Sequence, residues 1–509
     1  MKFRFVAGVF LLLTVCLCAR AQTNDTSSRF LTLREAIDAA LLNNRTLQIE
    51  RINPQIAHMT LRASWGYYDP LFTSQARKEN ANELGVFDPA NPGLESGFSA
   101  ETEGVGAGLF GFLPSGLTYT LSSAYAHSTG TRNFLNFDAY RVGASIYLQQ
   151  PLLKNFWIDL PRYTIRVNKR NLQITEAGVH LAAMMVINSV QQAYYDLVFA
   201  WENLRVQNDL LTTRQQFLQG IERQMEFGTM TVLEQRVAAS QHASVQTTVI
   251  AASNALALAA NSLKTLMGTP GTNWTEELFV PVDRLTVVPD TFDLATSWQR
   301  GLARRPDLQQ SLKRGEIAQL NVKFRRNQLF PSLDLFGGYG RRGGTGIQAF
   351  PPDQPQASFS EAWGQFERGE APSDMIGIML SFPLTRTMDR ANFKASQELK
   401  KQADLVVKQQ EELIMREISD AIFTARYSYD RVHASRRAAE FAQSALKAEE
   451  EKLQGGRSSI IFVLQLQADL AAAKAGEIQA KQDYNKAISQ LHFAEGTILD
   501  HQRIVFEFE

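Results

Sequence analysis

The stretch VQQAYYDLVFAWENLRVQNDLLTTRQQFLQGIERQMEFG, residues 190–228, places an apolar residue at every seventh position: Val190, Leu197, Leu204, Leu211, Leu218 and Met225. The series stops three residues before Gly228. Residues 418–456 follow the same plan with Ile418, Ala425, Val432, Ala439, Leu446 and Leu453, again stopping three residues before a glycine, Gly456. Gly456 lies 228 residues after Gly228, and the same spacing joins Leu263 to Leu491 and Gly268 to Gly496. A sustained seven-residue repeat specifies helices that supercoil around their neighbours. The sequence therefore predicts two long helical hairpins, about 160–268 and 386–496, reversed at Gly228 and Gly456, where a left-handed residue suits the turn. Asp159 with Pro161, and Asp389 in the second half, read as helix starts. The first long helix, about 162–226, would run roughly 100 Å at 1.5 Å per residue.

Upstream of each hairpin stands a shorter helix. Residues 32–63 begin with Thr32 and Glu35, a capping box. Their counterpart, about 293–328, pairs Leu302 with Leu41, Leu308 with Leu47, Ile317 with Ile56 and Pro331 with Pro70, all 261 residues apart. The spacing then falls from 261 to 228, so the first half holds about 33 additional residues between its opening helix and its hairpin.

Those intervening segments change period from seven to two. Leu117, Tyr119, Leu121, Ser123 and Tyr125 alternate with small or polar residues, as do Tyr140, Val142, Ala144, Ile146 and Leu148. The strands read are 70–78, 103–112, 117–127 and 139–149, then about 332–340 and 375–383, with a tight turn at Pro114 and Gly116. Residues 341–373, rich in Gly, Pro and polar residues, read as a long exposed loop. The alternation fits a membrane barrel with lipid on one side and water on the other, and equally a half-buried strand in a soluble sheet. Six strands hardly close a channel, so a barrel of this kind must be shared among subunits.

Lys2 and Arg4, the apolar run Val6–Leu17 and Ala19-Arg20-Ala21 form a secretory signal over 1–21. The run is too short to span a bilayer, and neither Cys16 nor Cys18 follows a small residue, which speaks against a lipid anchor. These are the only cysteines, so the exported chain is read as having no disulfide and no thiolate chemistry. Beyond the signal no apolar run reads as a membrane helix, which leaves a closed β-barrel as the way to span a membrane. The 52 basic and 52 acidic residues balance, which argues against nucleic acid or an anionic membrane surface as main partner. The seven histidines (58, 127, 180, 242, 433, 492 and 501) form no metal-ligand spacing. Gly104, Gly106 and Gly108 sit in a strand pattern with no helix after them, and no paired carboxylates stand out. No cofactor, metal or catalytic residue is expected, and the chain is not read as an enzyme.

Several fragments carry a resemblance. Leu31-Thr32-Leu33-Arg34-Glu35-Ala36-Ile37, Leu41-Leu42-Asn43-Asn44 and Tyr68-Asp69-Pro70 open the first half. Arg304-Arg305-Pro306-Asp307-Leu308, Phe330-Pro331-Ser332-Leu333 and Leu380-Ser381-Phe382-Pro383-Leu384 mark the second. In this duplicated order they resemble the TolC family of outer-membrane efflux proteins over the whole mature chain. The resemblance implies an α+β fold, a trimeric outer-membrane β-barrel continuous with a long periplasmic α-helical coiled-coil barrel, with two structural repeats per chain. These would be 22–268 and 292–496, joined by a connector at 269–291 and followed by a tail at 497–509. It further implies a homotrimer in which each subunit gives four strands to a twelve-stranded barrel in outer-membrane lipid. The longer first β-segment departs from that pattern, and its additional hairpin either extends the barrel or forms a flap. The implied function is a passive exit duct for solutes or secreted proteins. A periplasmic adaptor would couple it to an inner-membrane pump of the RND, ABC or MFS type.

The resemblance also directs attention to the hairpin tips, 225–234 and 453–462, as periplasmic entrance and adaptor surface. Gly228 and Gly456 make the turns. Glu234 and Arg457 stand near positions that form a latch in the family, with two solvated charges as the plain alternative. Phe462 and Gln465 stand where some relatives carry two acids, so a cation-binding ring is in doubt, and Phe462 reads either as a pore constriction or as a core residue. The run Glu449, Glu450 and Glu451 offers negative potential at the mouth or a solvated helix face. Two other readings of the whole chain stay open: a periplasmic coiled coil without a pore, and a secreted enzyme.

Overall fold

A computed structural model describes residues 27–85, 97–132, 134–228, 230–269, 277–289 and 292–504. The signal segment 1–21 and the tail beyond 504 lie outside the described residues. The chain divides into two compact units. One takes the segment ending at Asn44 with Val186–Asp290 and Ala425–Ser489. The other takes Arg45–Met185, Thr291–Thr424 and the segment from Gln490 onward.

The long helices are α3 (Leu160–Glu226) and α4 (Val232–Met267) in the first half, and α8 (Thr387–Gln454) and α9 (Ile460–Ala494) in the second. Asp159 caps α3, its Oδ1 accepting the Arg162 N–H at 2.8 Å. Asp389 does not have that part: α8 begins two residues earlier, at Thr387, and Asp389 lies in its first turn. All four hairpin ends close on a left-handed glycine, Gly228, Gly268, Gly456 and Gly496, with φ of 72°, 65°, 70° and 73°. Helix α4 corrects one expectation. It is long and apolar enough to cross a membrane by length and composition alone. Its Val245, Ala252, Leu256, Ala260 and Leu263 are buried within the chain, while Ile250 and Leu258 are exposed.

Each opening helix is broken in two. The first divides into α1 (Leu33–Asn43) and α2 (Arg45–Ser64), the second into α5 (Leu294–Arg304) and α6 (Pro306–Asn327). The breaks fall at Asn44 and Arg305, both extended, and these residues are again 261 apart. The Thr32–Glu35 capping box is present on both sides. In the first unit α1 packs on α4. A two-stranded parallel sheet joins β1 (Ser27–Leu31) to β6 (Glu277–Pro281). Tyr194, fully buried on α3, lies with its hydroxyl 2.9 Å from both Leu31 O and Asp283 Oδ2. In the second unit, Leu308, Ile414, Ile418, Ile422, Leu491 and Ala494 form the helical core. Gly301 lets α5 lie directly against Ile414 and Ile418. Arg305, 5% exposed, bridges Asp307 at 2.5 Å and Glu417.

The second unit also holds one six-stranded antiparallel sheet in the order β2 (Leu71–Glu83), β3 (Phe98–Phe112), β4 (Thr118–Arg132), β5 (Leu135–Pro151), β7 (Ser332–Ala349), β8 (Ala371–Ser381). The additional first-half hairpin is thus part of the sheet and no flap, and one chain supplies six strands where the resemblance implied four. The strands outrun the expected spans because their Gly, Ser and Thr tails keep pairing. Residues 341–373 are not a long loop. β7 continues to Ala349, and a helix, α7 (Phe359–Arg368), forms before β8. A last short helix, α10 (Ile498–His501), follows Gly496.

Candidate channel surfaces and entrance

Strand alternation gives the sheet two unlike faces. The register places Phe72, Val105, Leu109, Leu121, Tyr125, Val142, Ile146, Leu148, Leu335, Tyr339, Ile376 and Ile378 on one face. The other carries Thr73, Gln75, Arg77, Gly104, Gly106, Gly108, Thr120, Ser122, Ala124, Arg141, Ser145, Gly340, Arg342 and Ser373. Toward the 112–118 turn this second face also holds Phe110, Phe112, Tyr147 and Phe336, paired as aromatic contacts. Most of the apolar face is solvent-exposed in one chain: Phe72 is 67% and Ile376 84% exposed.

Helix α7 lies on the apolar face near the opposite end. Ala362 is buried against Gly343, where a Cβ would meet the Ala362 backbone. Phe359 packs edge-on to Tyr125 at 5.5 Å. Backbone groups fix the approach: Ala357 N–H donates to Asp138 Oδ2 at 2.8 Å, and Gly344 N–H donates to Gln365 Oε1 at 3.1 Å. Phe359 and Trp363 stay about half exposed.

The two hairpin tips lie together in the first unit. Ile221, Ala238, Ile460 and Leu464 form a buried cluster with Leu218, Met230 and Leu453 around it. Arg214, 2% exposed, donates from Nη2 to the Leu464 carbonyl, and its Nε and Nη1 find no partner among the described residues. Burial pushes its pKa down. Sequence reading missed this cation, since a single Arg inside a heptad helix resembles a surface charge.

Glu234 and Arg457 are not joined in the chain. Glu234 serves as the third residue of a capping box on α4, accepting from Thr231 N at 2.8 Å while Thr231 Oγ1 accepts from Glu234 N. The hydrogen bond from the Thr231 backbone holds its carboxyl below the ordinary value. The Thr-x-x-Glu spacing at 231–234 carried that signal. Arg457 lies beyond Gly456 with its side chain beside Gly455. Glu449 accepts from Ser458 Oγ and from Lys452 Nζ at 3.0 Å, bonds that lower its pKa in that order. Glu450 is half-buried and Glu451 exposed. Phe462 is 62% exposed while its neighbours Val463 and Leu464 are buried, so within the chain it is no core residue. Gln465 donates to Asp469 at 2.9 Å. Phe227, Val232, Leu233 and Ile461 join Phe462 as exposed apolar side chains around the tips. No metal-binding cluster of His, Cys, Asp or Glu occurs among the described residues.

Known proteins match at both levels. Residues 298–497 fit the model of the outer membrane efflux protein family. Cation efflux system protein CusC of Escherichia coli (strain K12) is 23% identical over 306 residues, covering 60% of this chain and 63% of that protein. The chain thus spans under two thirds of that relative's length. Among solved structures, the outer-membrane channel OprN superposes with a TM-score of 0.66 at 17% identity, covering 91% of this chain and 90% of that one. Outer membrane protein VceC of Vibrio cholerae gives 0.63 at 16% identity, covering 91% and 96%. Residues 298–497 thus carry the sequence pattern of the outer membrane efflux protein family, and the chain has the fold of solved outer-membrane channels over about nine-tenths of its length.

Proposed function

We propose that three copies of this chain form a passive duct through the outer membrane, with the helical hairpins in the periplasm. The observation that carries this reading is the open six-stranded sheet with one apolar and one polar face. Its edge strands, β2 and β8, present rows of unpaired N–H and C=O groups. Such edges cannot face hydrocarbon, so β8 of one copy pairs with β2 of the next. Three sheets then close an eighteen-stranded wall, a size class that leaves an aqueous channel, in place of the twelve strands the resemblance implies. The apolar face meets lipid and the polar face lines the path. Strands of 11 to 18 residues exceed the roughly 9–11 a membrane requires, so the wall projects past the bilayer. Trp363 and Phe359 on α7 then sit at the interfacial level that aromatic side chains favour.

Ile250, Leu258 and Phe441, exposed in a single chain, supply apolar surface for helix packing between copies. The apolar tips suit a helical adaptor, which would connect the duct to an inner-membrane pump of the RND, ABC or MFS type. Any Glu234–Arg457 latch acts between copies.

The test is edge pairing. The described residues contain no cysteine, so Gln75→Cys on β2 and Met375→Cys on β8 can be combined in one chain and treated with a short bifunctional thiol reagent in membranes. A covalent series ending at trimer is expected, together with conductance in planar bilayers. Monomer alone, without conductance, would overturn the reading.

A further inference from the structure

The polar face of the sheet carries an uneven distribution of charge. Arg141 on β5 stands opposite Gly344, in one row with Ala126, Gly104 and Arg77. Arg342 on β7 stands opposite Gly143, in the next row, with Ala124, Gly106 and Gln75. Arg141 and Arg342 are therefore diagonal neighbours, about 7–8 Å apart at the backbone. Both are exposed. Arg77 approaches Glu79 at 3.9 Å, whereas neither Arg141 nor Arg342 has an acidic partner within 4 Å among the described residues. The positions directly opposite and two along each strand are Gly or Ala, and the other diagonal ones no larger than Ser, so no large side chain covers the guanidinium groups. Two like charges side by side on a sheet disfavour each other, and only water or an incoming anion relieves them. The adjacent Arg341 points to the other face, because side chains alternate along β7.

We propose that Arg141 and Arg342 form an anion-selecting girdle that draws solutes bearing carboxylate, sulfonate or phosphate groups into the path. The proposal rests on the trimeric duct: three copies place six such arginines around the lumen. Rings of basic side chains select anions by the potential they create in a water-filled constriction. Small neighbours leave the lumen open at that level, so the girdle acts through field and leaves bulk passage to the channel width.

Two measurements on the full chain test it. In planar bilayers under a KCl gradient, the reversal potential of the unmodified channel is expected on the chloride side, and Arg141→Gln with Arg342→Gln is expected to shift it toward potassium. A local probe removes any contribution from the helical entrance. Arg141→Cys is exposed to a sulfonate-bearing and an ammonium-bearing methanethiosulfonate at about 0.01 M salt, where screening extends to roughly 30 Å. Replacing Arg342 by Gln in that background removes one charge about 7.5 Å away. It is expected to lower the sulfonate-to-ammonium rate ratio about sixfold. A conducting channel whose ratio and reversal potential do not move with Arg342 overturns the girdle and leaves the duct standing. Absence of conductance in the unmodified protein overturns the duct and the girdle with it.

Discussion

Four glycines close four helices in the same left-handed conformation, yet their surroundings differ, and this separates two sources of cost. At Gly228 and Gly456 an added Cβ meets nothing within 4 Å. Alanine there bears only the left-handed strain of about 1–2 kcal/mol, offset by about 0.4–1 kcal/mol of lost unfolded-state freedom, a net loss near 1 kcal/mol. At Gly496 the Cβ comes to 3.3 Å from backbone atoms of Arg304 and Arg305, a contact that a small shift relieves. At Gly268 it collides with the Asn43 carbonyl, with the carbonyl carbon at 2.7 Å. Those atoms belong to the end of α1 and move only if the helix moves. Overpacking of this kind adds about 1–3 kcal/mol, so Gly268→Ala should cost about 3 kcal/mol in all. Melting of the detergent-solubilised protein, followed by circular dichroism at 222 nm, converts 1 kcal/mol into about 2–4 °C for units of this size. Gly228→Ala and Gly456→Ala are expected within about 4 °C of the parent, Gly496→Ala slightly lower, and Gly268→Ala about 6–12 °C below. Equal losses at Gly268 and Gly228 would refute the view that close approach of α1, and not the turn alone, requires glycine there.

Two further outcomes follow from charges outside the sheet. Arg305→Met leaves Asp307 and Glu417 without their shared cation and should cost about 2–4 kcal/mol in the same melt, somewhat below a fully buried pair because Glu417 is 35% exposed. Arg305→Lys should recover part of this, since an ammonium cannot fork to both carboxylates. The capping carboxyls Glu35 and Glu234 titrate below their ordinary value because Thr32 and Thr231 backbone N–H groups bond the charged form. Their contribution is present above the ordinary carboxylate range and is lost as pH falls through the lowered value. Protection of the amides at the first turns of α1 and α4, taken relative to their intrinsic exchange at each pH, should therefore fall as pH drops below the ordinary carboxylate range, and Glu234→Gln should abolish the effect in α4 alone.

The features that repeat locally were legible in the sequence. Heptads gave the long helices, single glycines their reversals, and period-two alternation all six strands of the large sheet. What escaped is set by partners far away in the chain. The break at Asn44 answers to Gly268, which lies against the end of α1, whereas the break at Arg305 was within reach, since Pro306 holds the residue before it extended. The parallel pair β1–β6 joins five-residue strands some 250 residues apart, with too few side chains for a period to emerge. Tyr194 and Asp283 gain meaning only when that pair forms. Helix α7 was within reach: Ser358 caps it, and Phe359, Ala362, Trp363 and Phe366 follow helical spacing, but Gly and Pro on either side obscured the pattern. At the hairpin tips, Gly228 and Gly456 make the turns their spacing implied, whereas Glu234 was read for its charge when its spacing from Thr231 already gave it a cap to make.

The exposed margins of β2 and β8 have a consequence for heredity as well as for architecture. In the proposed three-copy wall the margins of each chain are completed only by its neighbours, so a chain would not enter a bilayer one molecule at a time, and one faulty margin would leave the whole wall open. In a cell making sound and margin-blocked chains in equal amounts, random mixing would leave about one intact ring in eight. Such lesions would be dominant, while lesions in the helix interiors would be recessive.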